Sequence, residues 1–392
     1  MIRRIPQAGT EIMFSDLLSG FKGIFANEAE NFIKALSGYL PSRYVFLVNS
    51  GTTAFYIILK ALKGLSPKKE VILPAYTAPA VVLSVLKANL KVVLCDISIT
   101  DFNMDLNLLP RVITEETLCV VPSHMFGIAI GNIETLKQRI PNIFIVEDCA
   151  QSLGSKIGEK NTGSFSDVSF LSFNRGKNIP TYGGGCIFTR SKEIAEKIEI
   201  EINELKRQPI FFKLTIPFKL MVLSLIVRPF IYGLFYPIIS QFKDNQVPIG
   251  FSVRRYTNFQ AGIGLSLLER IDEFSKERYE NGIKLINGLA DIKDIITPTI
   301  SNKIKPAFNR LPVVFKDLKR REIVEKALKK AGFDISRMYL RPLHHIFDLG
   351  YKYEEFPNAT YVAERLLTLP VHSLVEEELI TKMIELIRKA MV

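Results

Sequence analysis

The chain has 392 residues, of which 47% are hydrophobic and 23% charged, a balance typical of a folded protein with more than one domain. The formal net charge of +11 favours an anionic partner, but nucleic acid is excluded as the expected one because no zinc finger, recognition helix or aromatic RNA-binding motif is present. The cysteines have neither disulfide nor metal-ligand spacing, so we expect free thiols, no metal site and a cytoplasmic protein. They are Cys95, Cys119, Cys149 and Cys186.

The first half of the chain alternates short β-branched runs with helical patterns. This rhythm predicts an α/β domain, with a mostly parallel sheet covered by helices. The predicted strands are residues 44–48, 70–73, 91–95, 118–122, 144–147 and 168–172, and the predicted helices are residues 54–62, 80–86 and 133–138. Ligands collect at the carboxyl ends of such strands, so we expect Thr52, His124, Asp148 and Lys177 to converge there.

Residues 209–240 form an unusually apolar insertion. Arg228 and Pro229 divide it into halves that are each too short to cross a hydrocarbon core, which takes about 20 residues. With Lys213, Lys219 and Arg228 as its basic residues, the insertion suits an interfacial segment at the inner face of a membrane. The alternative is an apolar element buried in a homodimer or against the core.

The second half has a different character. It predicts long helices at 256–275 and 276–289, a strand at 311–315, and helices at 321–331 and 376–391. We therefore expect a large domain at residues 1–245, which includes the insertion, and a smaller C-terminal α+β domain at residues 246–392.

Two polar motifs follow predicted strands. In residues 49–54 (Asn-Ser-Gly-Thr-Thr-Ala), the amides of Gly51 and Thr52 at a helix start would suit a phosphate, although such a turn is also a common helix cap. Asp148 ends a strand, and its carboxylate could hold a proton on a pyridine nitrogen, although an Asp there is often a turn residue.

Lys177 lies on a later loop that is bounded by glycines. A lysine of this kind is either a solvated surface group or an amine whose pKa is lowered by burial and by nearby positive charge such as Arg175. Gln151 could reach a ring oxygen, and His124 is either a site residue or a core histidine. An anion cradle, a carboxylate and an amine together indicate a pyridoxal 5'-phosphate (PLP) site.

These motifs, in this order, resemble the DegT/StrS family of PLP-dependent nucleotide-sugar aminotransferases, which have the aspartate-aminotransferase-like fold (PLP transferase fold type I). The resemblance covers the chain from about residue 45 onward, apart from the insertion. The matching stretches are residues 49–54, 71–77, 121–127, 146–152, 163–167, 172–173 with 177–178, 260–264 with 268–272, 341–344 and 357–372.

The resemblance implies a role for each matching residue. Lys177 would form the covalent link to the cofactor and carry the proton, and His124 would line the site as a second catalytic residue. Asp148 would pair with the pyridine nitrogen and Gln151 with the phenolic oxygen. The phosphate would be held by Gly51, Thr52 and Ser172.

The chain also departs from the family pattern. The aromatic residue that usually stacks on the pyridine ring is Ala78 here, so Tyr76 would have to replace it. The family's Asn-Tyr-Arg element, whose Asn reaches the phosphate of the partner subunit, reads Val253-Arg254-Arg255, so Arg255 would take over that contact. Gly183 replaces an acidic residue, and the N-terminal element that borders the sugar site is not visible.

The resemblance implies an aminotransferase that moves an amino group, from glutamate, to a nucleotide-linked keto-sugar for polysaccharide or lipopolysaccharide synthesis. It also implies a homodimer. Because Lys177 is retained, transfer is favoured over the dehydration carried out by members that replace this lysine with His. The alternatives are a sugar dehydratase and a non-catalytic, membrane-associated scaffold of the same fold.

Overall fold

The computed structural model describes residues 3–241 and 249–391, and a seven-stranded sheet of order β1-β9-β8-β5-β4-β2-β3 lies at its centre. Five strands, β2, β3, β4, β5 and β8, run parallel, while β9 is antiparallel to both of its neighbours. The strands are β1 (Tyr44–Val48), β2 (Glu70–Pro74), β3 (Lys91–Cys95), β4 (Thr117–Val120), β5 (Phe144–Asp148), β8 (Val168–Ser172) and β9 (Gly185–Thr189). The predicted α/β sheet is confirmed.

Strand β9 is absent from the sequence-based prediction because glycines precede it. Gly183 and Gly184 have φ values of +125° and +116°, which L side chains rarely adopt. A Cβ atom on Gly185 would lie 2.4 Å from the carbonyl oxygen of Ser50. The glycines therefore let β9 enter the sheet close to the loop before the first core helix.

Helices cover the sheet. The central one is α3 (Gly51–Lys63), which packs on α4 (Ala80–Lys87) and α7 (Lys192–Asn203) and is largely buried. It begins three residues before its predicted start because Ser50 accepts a hydrogen bond of 3.0 Å from the amide of Thr53 and caps the first turn. Two short helices, α5 (Leu109–Val112) and α6 (Leu136–Arg139), lie nearby.

Two N-terminal helices, α1 (Phe14–Phe25) and α2 (Glu28–Tyr39), pack against α10 (Asn258–Leu268). Asp16 of α1 is buried and pairs with Arg270 at 2.6 Å, just after α10. This pair ties the start of the chain to a segment about 250 residues away. Neither N-terminal helix appears in the sequence-based prediction.

The C-terminal part forms an antiparallel sheet of β10 (Ile295–Ile296), β12 (Leu311–Phe315) and β13 (Leu366–Leu369). Helices α11 (Ile271–Leu289), α12 (Leu318–Lys330), α13 (Pro357–Arg365) and α14 (Glu377–Met391) accompany it. The predicted helix at residues 256–275 is wrong in extent, because α10 ends at Leu268 and α11 begins at Ile271. The domain division at residues 245 and 246 stays a prediction.

A third, small sheet of order β11-β6-β7 joins the two halves of the chain. Strand β11 (Ile304–Lys305) pairs antiparallel with β6 (Lys156–Ile157), which is followed by β7 (Lys160–Asn161). This pairing holds the segment before β12 against the loop that follows β5. It thereby fixes the position of residues 306–310 relative to the central sheet.

The apolar insertion folds as two helices, α8 (Ile210–Ile226) and α9 (Pro229–Gln241), bent by 111° at the predicted break. Among the described residues, no single helix has the length and apolar character needed to span a bilayer, although the bent pair together has both. Helix α8 packs on α1. Helix α9 is anchored by Tyr232, whose hydroxyl donates a 2.6 Å hydrogen bond to Asp334.

Candidate active site

A cavity of about 370 Å³ lies where β5 and β8 end and α3 begins. Five of the predicted site residues line it together, namely Gly51, Thr52, Asp148, Ser172 and Lys177. These positions span more than 120 residues of sequence. The parallel sheet brings them to one place because the carboxyl ends of its strands lie on the same edge.

The start of α3 forms one wall of the cavity. Gly51 is the first residue of the helix, where backbone amides have no partner within the helix. A Cβ atom at Gly51 would lie 2.9 Å from Cβ of Ser172, so the helix start and the end of β8 meet in a space that only glycine leaves open. The Ser172 and Thr52 hydroxyls and the positive end of the helix give this corner the character of an anion cradle.

Asp148 is 7% exposed at the end of β5. Its Oδ1 accepts a 2.9 Å hydrogen bond from the amide of Ala150, and its Oδ2 accepts one of 3.3 Å from Ser123. Burial raises the pKa of this carboxyl group, while those hydrogen bonds and the charge of Lys177 act in the opposite direction. The carboxyl group is thus held in a fixed orientation at the cavity wall.

The Lys177 amine faces the same cavity. Burial lowers the pKa of Lys177 to about 8, opposed by the charge of Asp148 and assisted by that of Arg310. The positive neighbour that lowers the pKa is therefore Arg310, and not the sequence neighbour Arg175 that we expected. An amine with this pKa is partly unprotonated near neutrality and can act as a nucleophile and as a base.

The C-terminal part of the chain supplies the opposite wall, which sequence reasoning missed. The residues involved are Asn309, Arg310, Ser336, Met338 and Tyr339. Arg310 donates to the Ser336 hydroxyl at 3.1 Å and to Oε1 of Gln7 at 3.4 Å. The only sequence signal was the position of Arg310 directly before the predicted strand at residues 311–315.

Tyr76 is not among the residues that line the cavity, and its expected stacking on the pyridine ring stays a prediction. Its side chain is fully buried, its hydroxyl donates to the carbonyl oxygen of Met338, and its ring packs edge-on against Tyr339 with centroids 6.0 Å apart. Ala78 and Tyr339 both line the cavity. Tyr339 and Phe170 therefore supply the aromatic side chains of the cavity lining, and Tyr76 packs against Tyr339.

His124 is likewise not among the residues that line the cavity, and its expected place beside the ring stays a prediction. Its Nδ1 accepts from the amide of Ile130 at 3.1 Å, and its Nε2 lies 2.8 Å from Glu147. The other hydrogen bonds of Glu147 come from the amides of Gly163 and Phe165. The core-histidine interpretation, which the sequence left open, matches this geometry.

The alternation of side chains between the two faces of β5 could have revealed the pairing of His124 with Glu147. Asp148 points toward the site, so Glu147 must point to the other face of the sheet and needs a buried partner there. Ligand atoms of His124, Glu147 and Cys149 lie within 4.8 Å of one another, as in metal clusters. The hydrogen bonds of the histidine and the glutamate already use their ligand atoms, which gives the cluster a structural role.

Gln151 is buried beneath the cavity and is not among its lining residues. Its Oε1 accepts from the amide of Phe126 at 3.2 Å, and its amide nitrogen lies 3.5 Å from the sulfur of Met125. These contacts hold the loop after β4 against the loop after β5. They do not bring Gln151 to the cavity surface in this protomer.

Arg255 also lies away from the cavity of its own protomer. Its guanidinium donates to the carbonyl oxygens of Leu205 and Asn203, each at 3.1 Å, at the carboxyl end of α7. A cation at that end of a helix is stabilised by the helix dipole. The expected contact with the phosphate of a partner subunit stays a prediction.

Known proteins are similar in sequence to this chain over most of its length. A model of the DegT/DnrJ/EryC1/StrS aminotransferase family matches residues 12–388. The spore coat polysaccharide biosynthesis protein SpsC of Bacillus subtilis is 26% identical over 378 residues, covering 92% of this chain and 89% of that protein. The dTDP-3-amino-3,4,6-trideoxy-alpha-D-glucose transaminase of Streptomyces venezuelae is 24% identical over 391 residues, covering 98% and 92%.

Solved structures share the fold. PseC of Helicobacter pylori, an aminotransferase involved in pseudoaminic acid biosynthesis, superposes with a TM-score of 0.80 at 18% identity, covering 99% of both chains. Spr1654 of Streptococcus pneumoniae in its PLP form gives a TM-score of 0.79 at 21% identity, covering 99% of this chain and 98% of that one. At these identities the likeness establishes the fold alone, which is the one predicted.

Proposed function

The chain belongs to the DegT/DnrJ/EryC1/StrS aminotransferase family, and we propose that it transfers an amino group from glutamate to a keto-sugar carried on a nucleotide, with PLP as cofactor. The observation that carries this proposal is the meeting of Lys177, Asp148 and the Gly51–Ser172 corner in one cavity. An amine, a carboxylate and an anion cradle are the groups that this chemistry needs.

The residues present fit PLP. The contact between Gly51 and Ser172 leaves a corner that a Cβ atom would fill, and a phosphate can occupy it at the start of α3. Asp148, held by Ser123 and Ala150, would face the pyridine nitrogen and keep it protonated. When bound, the cofactor supplies an electron sink that stabilises negative charge on the substrate carbon.

Lys177 then has two roles in the chain's own chemistry. With a pKa of about 8, its Nζ atom is an available nucleophile for the cofactor carbonyl. The same atom would take a proton from one substrate carbon and return it to another, as a general base and acid.

Arg310 is placed to bind an anionic group of the substrates. It approaches from the wall opposite Lys177, and its guanidinium hydrogen bonds within the site are to the neutral groups of Ser336 and Gln7. A guanidinium whose hydrogen bonds are to neutral groups suits the carboxylate of glutamate, and the buried Asp334 offsets only part of its charge. This arrangement supports an acidic amino donor.

A second cavity of about 530 Å³ adjoins the first one and shares Gln7 and Ser336 with it. Tyr236 and Ser240 of α9 bound it on one side and Arg337 on another. A substrate with two parts, a sugar and a carrier, could occupy both spaces. This arrangement supports a nucleotide-linked sugar as the acceptor, and the relatives named for nucleotide-sugar products support the same class.

Stoichiometric 2-oxoglutarate release tests the proposal. Protein loaded with PLP should release one equivalent of 2-oxoglutarate from glutamate without any sugar, and Lys177→Ala protein should release none above background. Loss of water from the sugar with no release of 2-oxoglutarate from glutamate would favour the dehydratase. Failure to take up PLP would favour the scaffold.

A homodimer and a site near the inner face of a membrane belong to the same proposal. The position of Arg255 on the loop after the insertion supports the dimer, because that loop carries the family's partner-reaching element. Sedimentation equilibrium tests it, with a monomer at micromolar concentration as the contradicting result.

A further inference from the structure

Helices α1 and α8 each carry an apolar stripe on the outside of the protein. On α1 the stripe consists of Phe14, Leu18, Phe21 and Phe25. On α8 it consists of Phe211, Leu214, Phe218, Met221 and Leu225. In both helices the spacing alternates between three and four residues, which places each set on one side of its helix.

These side chains are exposed to an extent that a water-soluble surface rarely tolerates. The exposed fraction runs from 44% for Met221 to 91% for Phe25. Single exposed apolar residues need no explanation, but nine in two stripes on helices that pack together indicate a contact site. We name this surface, made by the two stripes, the α1–α8 face.

The two stripes lie on the same side of the molecule. Helix α8 packs against α1, and the inner residues Leu17 of α1 and Ile216 and Leu220 of α8 belong to one core cluster. Since the inner faces of both helices point into that cluster, their outer faces point away from it together. The α1–α8 face was not visible in the sequence, where only the insertion was recognised.

The two helices of this face carry basic side chains, and the carboxylates of Glu28 and Glu269 adjoin only Lys22 at the edge of α1. Residues 205–241 include Lys or Arg at five positions and contain neither Asp nor Glu. On α1, Lys22 is exposed beside the stripe, while the carboxylate of Asp16 is buried against Arg270. The face thus combines apolar side chains with basic ones and lacks an exposed carboxylate on either helix.

We propose that the α1–α8 face binds the surface of an anionic lipid bilayer. A second copy of the chain is the less suitable partner, because two-fold pairing would bring lysines of like charge together with no carboxylate from either helix to compensate them. Lipid phosphates supply that compensation, and the aromatic stripes enter the boundary between headgroups and acyl chains.

The helices lie in the plane of the bilayer and do not cross it. The bend of 111° between α8 and α9 and the anchoring of α9 to Asp334 through Tyr232 keep the insertion folded on the protein. An amphipathic helix in this position buries its apolar face by about 5–10 Å. The face is therefore an interfacial anchor.

The face also lies next to the catalytic cavity. Nζ of Lys219 on α8 is 5.8 Å from the ring centroid of Tyr182, and the guanidinium of Arg175, which lines the cavity, is 4.9 Å from the same ring. Tyr182 therefore connects α8 to the loop that carries Lys177. Binding of the α1–α8 face would hold the active site close to the bilayer.

Vesicle sedimentation of the full chain is the first test. Wild-type protein should bind phosphatidylcholine vesicles that contain phosphatidylglycerol, bind pure phosphatidylcholine vesicles more weakly, and be released by high salt. The double variants F14S/F25S and F211S/L214S should each lower the partition coefficient at least about tenfold. The control I323S/Y353S removes two exposed apolar side chains elsewhere and should bind as wild type does.

Fluorescence provides a second test that does not rely on loss of function. The chain contains no Trp, so Phe25→Trp and Phe218→Trp each give a single reporter. Both should shift to the blue when anionic vesicles are added, while Tyr353→Trp should not. Unshifted emission from both reporters would overturn the proposal. So would a wild-type dimer that the serine variants dissociate without any vesicle binding, because the face would then join two copies.

Discussion

The low pKa of the Lys177 amine can be tested in the cofactor-free protein. Burial and Arg310 lower this pKa from 10.5 to about 8. At pH 7.5 a pKa of 8 leaves about one quarter of the amines unprotonated, against about one in a thousand for a pKa of 10.5. Lys177 should therefore react roughly two hundred times faster at this pH than the same amine in water.

Two substitutions should move this pKa in opposite directions. Arg310→Gln removes a positive neighbour, so the pKa of Lys177 should rise. Asp148→Asn removes the negative charge that favours the protonated amine, so the pKa should fall. Opposite shifts distinguish a charge effect from general loosening of the site, which would raise the pKa in both variants.

Competitive acetylation with trace acetic anhydride measures these values. The label on the Lys177 peptide is followed by mass spectrometry from neutral to alkaline pH, with the exposed Lys276 peptide as internal reference. The wild-type midpoint should lie near pH 8. A midpoint near 10, or shifts of the same sign in the two variants, would refute the electrostatic explanation of this site.

Cofactor affinity, stability and its pH dependence can each be tested with one substitution. Gly51→Ala should weaken PLP binding at least about tenfold, because the added Cβ atom would lie 2.9 Å from Cβ of Ser172. The control Gly131→Ala has open space around the added atom and should bind PLP as wild type does. Titration by absorbance measures the affinity of both variants. Tyr232→Phe should lower the free energy of unfolding by about 1–3 kcal/mol in urea, since Asp334 loses a buried hydrogen-bond donor, and an unchanged midpoint would contradict this. Burial lowers the pKa of His372 to about 3, from 6.5 in the unfolded chain. Between these two pH values the folded protein binds fewer protons than the unfolded chain, so it loses stability as the pH falls. Between pH 7 and 5 this loss is about 2 kcal/mol, and His372→Gln should remove it from the pH dependence of the unfolding free energy; an equal dependence in the variant would contradict the assignment.

The sequence predicted the parallel part of the sheet well because each strand is a short, buried, β-branched run. Polar residues that directly follow such runs could be assigned to one edge of the sheet from their position in the pattern. The convergence of Gly51, Asp148, Ser172 and Lys177 follows from that rule. Local pattern was sufficient wherever the fold repeats a strand–helix unit.

Other parts of the site depend on packing that a local pattern does not contain. His124 and Tyr76 follow strands in the same way as Asp148, yet their side chains turn into the core toward Glu147 and Met338. Arg310 reaches the cavity because β11 pairs with β6, a contact between segments nearly 150 residues apart. The orientation of one side chain is set by such distant partners.

The N-terminal helices are another part of the fold that the local sequence pattern did not predict. Helix α1 exposes Phe14 and Phe25 while burying Leu17 and Gly20, so apolar residues lie on its outer face as well as on its inner one. Its outer stripe becomes interpretable only beside that of α8. A helix with one face toward the protein and one toward lipid would have this composition.

The identity of the lysine that binds the cofactor is the decisive measurement for the proposed active site. Protein incubated with PLP is reduced with borohydride and digested, and the masses of its peptides are measured by mass spectrometry. We expect one phosphopyridoxyl group per chain, on the peptide that contains Lys177, and none on that peptide in Lys177→Ala protein. A label on a different lysine, or no label at all, would contradict the assignment of this cavity as the active site.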